Sequence, residues 1–219
     1  MTKDTPHSPP LSRARERGDE GNPHHPSHCV GPHPSSRLRE RGAEAIVDSS
    51  TMATDAKIVS LERAAEVRAA ARDEGQRVVL TNGVFDLLHA GHVRYLQEAR
   101  ALGDLLVVGL NDDGSVRRRK GPTRPLVPLE DRAIVLSALA CVDLVVAFGE
   151  DTASDLVARL QPDIYVKGGD YDPAAAPGHK GYLPEAAVVA GYGGQVRVLS
   201  FLPGRSTTDI VRRVVESAY

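Results

Sequence analysis

At 219 residues, with 41% hydrophobic and 26% charged positions, the chain is long enough to bury one substantial core. A net charge of −2 and a 4% aromatic share lack the basic excess of a nucleic-acid reader, but small anions held by a local basic cluster stay open. Cys29 and Cys141 are too few for a disulfide framework or a zinc site, and no apolar run announces a membrane span or a secretory signal, so the expected location is the cytoplasm.

Residues 1 to 55 are rich in proline and hold five of the 8 histidines, His7, His24, His25, His28 and His33. Without apolar periodicity they predict a disordered tail, and the irregularly spaced histidines read as incidental rather than as a metal tract. The two methionines are Met1 and Met52. The tail is therefore expected to be dispensable, or an upstream start-site artefact, and a chain beginning at Met52 is expected to stay active.

From residue 57 to 219 the pattern is that of one α/β domain. Ser60 caps a helix through Leu61, Ala64, Ala65 and Ala71 that stops at Gly75. Short apolar runs follow at Val78–Leu80, Leu105–Leu110 and Leu144–Ala147, with weaker ones at Ile164 and Val166 and at Val196, Val198 and Leu199. Such runs, separated by helical segments, predict a Rossmann-like, doubly wound parallel sheet of five strands with helices on both faces. Leu129, Ala133, Leu136 and Ala140 repeat at helical spacing behind Pro128. The last helix sets Ile210, Val211, Val214 and Val215 on one face, with Arg212, Arg213 and Glu216 off it.

Ligands of open parallel sheets bind beyond the carboxyl ends of the strands, and the polar residues collect there. The first strand is followed by Asn82, Gly83, Asp86, His89 and His92, and the second by Asn111, Asp112, Asp113 and the basic run Arg117 to Lys120. The fourth is followed by Lys167-Gly168-Gly169-Asp170, and the fifth by Gly204-Arg205-Ser206-Thr207-Thr208 at the start of the last helix.

His89 and His92, at i and i+3, can turn both rings toward one ligand atom, and Gly91 lets a ligand lie close to the backbone. Read alone, the pair fits a phosphate site, a core histidine beside a surface one, or a metal site with Asp86 as third ligand. Ser206-Thr207-Thr208 is either a plain N-cap or, with Arg205 before it, an anion site on free N–H groups. The basic run reads as a solvated face from which Lys120 stands out, because Gly121-Pro122 pins it near the rim. Arg132 is equally a salt-bridging residue or a phosphate ligand. Lys167 emerges from a strand end into the crevice, and Asp170 can pair with it.

The stretch Asn82-Gly83-Val84-Phe85-Asp86 followed by His89-Ala90-Gly91-His92 resembles the signature of the nucleotidyltransferases typified by the cytidylyltransferases. Within that superfamily, Lys120-Gly121-Pro122-Thr123-Arg124-Pro125, Glu130-Asp131-Arg132, Lys167-Gly168-Gly169-Asp170-Tyr171 and Gly204 to Thr208 are similar to the adenylyltransferases acting on D-glycero-β-D-manno-heptose 1-phosphate. The resemblance covers residues 57 to 219. It implies that ATP and the sugar 1-phosphate give ADP-heptose and pyrophosphate, with Mg²⁺ accompanying the nucleotide and no dedicated protein metal ligand.

By the same resemblance His89, His92 and Lys120 are catalytic. Asn82, Gly83, Phe85, Asp86, Gly91, Lys167, Gly168, Arg205, Ser206, Thr207 and Thr208 bind nucleotide, with Asp86 fixing the turn, and Asp112, Arg132 and Asp170 bind substrate. Many members are fused behind a sugar kinase, so a separate heptose kinase is the expected upstream partner; a homo-oligomer is expected, and nucleic acid and membrane are not. Two features depart from the pattern: the loose segment Asp172 to Leu183, and Arg205, where no fixed residue is expected. The alternatives are a cytidylyltransferase using CTP with glycerol 3-phosphate or an aminoalcohol phosphate, and a nucleotide-binding sensor that keeps the fold without catalysis.

Overall fold

A computed structural model describes residues 54–169, 171–200 and 204–217. The expected tail, apart from its last two positions, and Met52 lie outside the described residues, as does Asp170. A 3₁₀ turn at Asp55–Lys57 leads into α1 (Leu61–Asp73), β1 (Val78–Gly83), α2 (Ala90–Arg100), β2 (Leu105–Asn111), α3 (Asp113–Lys120) and α4 (Leu129–Ser137). Then come β3 (Leu144–Phe148), α5 (Ser154–Leu160), β4 (Ile164–Gly168), α6 (Pro184–Gly191), β5 (Gln195–Leu199) and α7 (Thr207–Ser217).

The strands form one sheet in the order β3-β2-β1-β4-β5, and every pairing is parallel. Alternate side chains leave a strand on opposite faces, and here both faces are dry. Val78, Leu80, Leu105 and Val107 pack with Ala64 and Ala71 of α1, Leu156 and Leu160 of α5 and Val189 of α6. Val79, Leu106, Val108 and Leu110 pack with Leu96 and Ala99 of α2 and Ala133 and Leu136 of α4. Burial on both faces explains why the strands read as continuous apolar runs. The Rossmann-like α/β class expected from the sequence is the one observed.

Ser60 accepts a hydrogen bond from the Arg63 N–H and caps α1, which ends at Asp73; Gly75, at φ +67°, turns the chain beyond it. The basic run is exposed, as expected of a solvated face, and it is also helical. It forms α3, because the Asp112 carboxylate accepts from the Ser115 N–H at 2.6 Å and caps a helix that only Val116 and Ser115 anchor to the core. Gly121, at φ +96°, ends it.

Candidate active site

The chain winds outward from β1 through β2 to β3, then returns to build β4 and β5 on the other side. That reversal opens a crevice at the carboxyl ends of β1 and β4. A pocket of about 560 Å³ occupies it. Of the residues expected at the site, Asn82, Gly83, Phe85, Asp86, His92, Lys120, Lys167, Gly168, Thr207 and Thr208 line it. Six others join them: Val84, Tyr95, Asn111, Arg119, Arg124 and Tyr171. Asn111 was visible as a rim residue; its buried Oδ1 has no hydrogen-bond partner among the described residues. Arg119, Arg124 and Tyr171 lay inside the basic run and the quoted motifs but were not singled out as site residues.

The two histidines do different things. His89 is the N-cap of α2: its Nδ1 accepts from the Gly91 N–H at 3.1 Å, so in the neutral ring the proton sits on Nε2. It faces a small side cleft with Gly204, Arg205 and Ser206, outside the main pocket. His92, one turn into the helix, faces the main pocket; its ring stacks on His89 at 3.9 Å and meets the Phe85 ring edge-on at 5.4 Å. Burial, helped by the charges of His89 and Lys120 and opposed by the Leu87 carbonyl, pushes its pKa down to about 4. His89 is lowered too, by burial and by Arg205. In the free protein at neutral pH both rings are therefore hydrogen-bonding groups, and neither is a cation.

Gly91 lies off the pocket lining. A Cβ there would come within 2.9 Å of the His89 ring and 3.1 Å of the Arg205 Cβ. The glycine is thus demanded by the packing of these two side chains. Phe85 sits at φ +47°, unusual for a bulky residue, with its ring against Gly83 and His92. The turn after β1 holds backbone strain where it shapes the pocket wall.

Asp86 fixes the far loop. Its Oδ1 accepts from the Leu126 N–H at 2.7 Å and the Val127 N–H at 3.0 Å, and its Oδ2 accepts from Arg124 Nη1 at 2.7 Å. Burial alone would raise its pKa, but the bonds from Arg124, Val127 and Leu126 win and hold it low. For the metal reading of Asp86 with the histidines, the geometry is this: both oxygens of Asp86 are engaged, and no group of three His, Cys, Asp or Glu side chains that could hold an ion occurs among the described residues. Asp86→Ala is expected to cost about 2–3 kcal/mol by stranding buried donors and to weaken nucleotide binding by freeing Arg124. Denaturant midpoints and a nucleotide titration check both. The carboxylate's contribution is present at neutral pH and is lost on acidification through its depressed pKa, so wild type and variant converge in acid.

The cations are arranged in two groups. Arg119, Lys120 and Arg124 stand on the β2 side; Lys120 is exposed at the rim, yet burial by neighbouring atoms, with Arg124 and Arg119, draws its pKa down while Asp86 pulls it back. Lys167 stands at the end of β4, and burial there lowers its pKa to about 8. Thr207 and Thr208 open α7, where free N–H groups meet the pocket, and Thr207 Oγ1 reaches the Leu87 carbonyl at 3.4 Å. Ser206 is the plain cap: its Oγ accepts from the Asp209 N–H at 3.1 Å and donates to the Asp209 carboxylate at 2.8 Å.

Two expected substrate ligands are placed elsewhere. Asp112 caps α3 through Oδ1 and is not among the residues lining the pocket. The Arg132 guanidinium is buried and bonded to Val84, Asn111 and Val127 carbonyls and to Asp113, so it supports the pocket walls from behind without facing a ligand.

A family model described as Cytidylyltransferase-like matches residues 80–213, a stretch that runs from β1 into α7 and contains every residue of the pocket. The chain belongs to the cytidylyltransferase-like family. Several curated relatives at about half identity carry the name "Bifunctional protein HldE". That of Pelobacter propionicus is 52% identical over 163 residues, 74% of this chain and 32% of its own. That of Klebsiella pneumoniae is 51% identical over 157 residues, 72% and 31% respectively, and that of Citrifermentans bemidjiense 45% over 189 residues, 86% and 37%. The chain thus spans about a third of the length of these curated relatives. Among solved structures, the lipopolysaccharide core biosynthesis protein from Thermoplasma volcanium is 31% identical, with a TM-score of 0.45 over 58% of this chain and 98% of that one.

Proposed function

We propose that the chain is an adenylyltransferase that joins ATP to D-glycero-β-D-manno-heptose 1-phosphate, giving ADP-heptose and pyrophosphate. The observation that carries the reading is one pocket at the β1–β4 switch point shared by His92, Lys120 and the α7 N-terminus, in a chain about half identical to the HldE relatives. An oxygen of the sugar phosphate attacks the α-phosphorus of ATP. The bond from that phosphorus to the bridging oxygen breaks, and its electron pair leaves with pyrophosphate. No covalent enzyme intermediate is needed, so the protein's work is positioning and charge stabilisation.

In this reading the His92 ring, neutral before substrate binds, hydrogen-bonds an oxygen at the α-phosphorus. Arg119, Lys120 and Arg124 neutralise the triphosphate, and the Thr207–Thr208 helix start receives its terminal phosphates. Mg²⁺ adds charge neutralisation on the phosphate oxygens. Asp86, the one carboxylate lining the pocket among the described residues, has both oxygens taken by Arg124 and backbone N–H groups, so the ion would be held mainly by the phosphate oxygens of the nucleotide. The protein would act in the cytoplasm on the product of a heptose kinase, as a homo-oligomer.

A pyrophosphate-release screen of nucleoside triphosphates against phosphorylated sugars and alcohols tests the assignment. The expected result is turnover with ATP and heptose 1-phosphate. Strict use of CTP with an alcohol phosphate would replace the reading by a cytidylyltransferase, and nucleotide binding without turnover by a sensor.

A further inference from the structure

Asn82 is the penultimate residue of β1 and Lys167 that of β4, each one step beyond the paired Thr81 and Val166, so the two side chains stand next to each other on the crevice lip. Lys167 Nζ donates to Asn82 Oδ1 at 2.9 Å, and the buried Tyr165 hydroxyl donates to the same oxygen at 2.6 Å. An ammonium only donates, which fixes the amide oxygen toward it and turns the amide NH₂ away. No protein acceptor meets that NH₂ among the described residues, and Asn82 lines the pocket.

Lys167 likewise uses one of its three N–H groups on Asn82. Its other close neighbours are π faces, the Tyr171 ring at 5.3 Å and the Tyr165 ring at 5.9 Å, which hold a cation in place without supplying a counter-charge. Among the described residues no carboxylate lies within ion-pair distance of it. Two sets of unused donors, one of them cationic, thus sit side by side at the pocket edge, a match for the oxygens of one phosphate.

The position of this pair matters as much as its chemistry. Arg119 and Lys120, on the helix after β2, and Arg124 crowd the other side of β1. In-line displacement puts the attacking and leaving oxygens on opposite sides of the α-phosphorus. With the triphosphate along the larger cationic group and its terminal phosphates at the α7 N-terminus, the pair on β4 is the set of donors left for the nucleophile.

We propose that Asn82 and Lys167, beside the Tyr171 ring, form the subsite for the phosphate of the acceptor sugar. The inference rests on the nucleotidyl-transfer reading and reassigns both residues, since the family resemblance puts them with the nucleotide. Tyr171 offers an apolar face to the sugar ring next to that phosphate. The depressed pKa of Lys167, about 8, belongs to the state with the subsite empty: burial lowers it, Glu185 raises it and Arg119 lowers it, and among the described residues the Tyr165 and Tyr171 rings also face it. Acceptor affinity is therefore expected to fall as pH rises through 8, because a neutral amine loses its attraction for the phosphate dianion.

Calorimetry on the full chain separates the roles. Wild type and Lys167→Met are titrated with the unreactive analogue α,β-methylene-ATP, and the loaded proteins are then titrated with heptose 1-phosphate and, separately, with inorganic phosphate. Methionine keeps the length and packing of the stem, and thermal melts confirm the fold. The expected result is a loss of about 10- to 100-fold in affinity for both phosphates, the scale of a charge-assisted hydrogen bond, with analogue affinity changed less than about twofold and the fall above pH 8 gone. An equal or greater loss for the analogue, an unchanged phosphate affinity, or wild type that binds neither phosphate overturns the proposal. Lys167-dependent phosphate binding without pyrophosphate release from ATP and heptose 1-phosphate instead leaves the subsite standing and removes the substrate assignment.

Discussion

His92→Ala is expected to lower turnover by about 10²- to 10³-fold, the scale of losing one preorganised hydrogen bond to developing charge, while leaving the fold and most of the nucleotide affinity in place. The asymmetry follows from position. His92 lies one turn into α2 with its ring between His89 and Phe85, facing the pocket. Alanine is a good helix former there, so α2 persists. The nucleotide keeps Lys120, Arg124 and the α7 N-terminus in the variant. Single-turnover rates and an analogue titration, run side by side, check the split. Pyrophosphate release within a few-fold of wild type would remove His92 from the chemistry.

The state of the ring gives a second readout. The His92 pKa falls from 6.5 to about 4 on folding. Between those values the unfolded chain binds a proton that the folded chain does not, so stability declines on acidification across that window. That part of the acid sensitivity is expected to vanish in His92→Ala. Activity, by contrast, should show no loss from His92 titration between pH 8 and 6, since the ring is already neutral there. Triphosphate binding raises its proton affinity, so any acid-limb shift appears in the complex and not in the free protein.

The difference between the two histidines shows where sequence reading stops. Spacing of i and i+3 puts two side chains on one helix face only if both are inside the helix. His89 is the cap, with extended backbone at φ −145°, and its imidazole is used on the Gly91 N–H. The inner strands were legible because they are buried on both faces and therefore written as apolar runs, whereas the edge strand β5 shows only a weaker one. Helix α3 was not, because its helical state depends on the Asp112 cap and two buried residues, beneath four basic positions with no apolar period. Arg124 was hidden for a third reason: it reaches the pocket through a loop that Asp86, thirty-eight positions earlier, holds by side-chain bonds. The crevice itself was foreseen, since strand ends in this fold class collect the ligand-facing residues whatever the loops do.

Arg132→Met is expected to destabilise the protein by about 3–5 kcal/mol, the cost of breaking a buried ionic network by removing one partner. Its Nε donates to the Val127 carbonyl at 2.9 Å, Nη1 to those of Val84 and Asn111 at 2.7 and 2.9 Å, and Nη2 to Asp113 at 2.6 Å. With the side chain 1% exposed, methionine fills the stem but strands those acceptors without water. The fork ties the turn after β1 to the end of β2, the start of α3 and the loop before α4, and these are the walls that carry His92, Lys120 and Arg124. A substrate-binding arginine would behave otherwise, raising KM with the denaturation midpoint unmoved. Arg132→Lys distinguishes the two further: a lysine restores a charge but lacks the planar fork that spans these acceptors, so a supporting arginine is rescued little by it. An unfolding free energy within about 1 kcal/mol of wild type in the methionine variant would return Arg132 to the ligand.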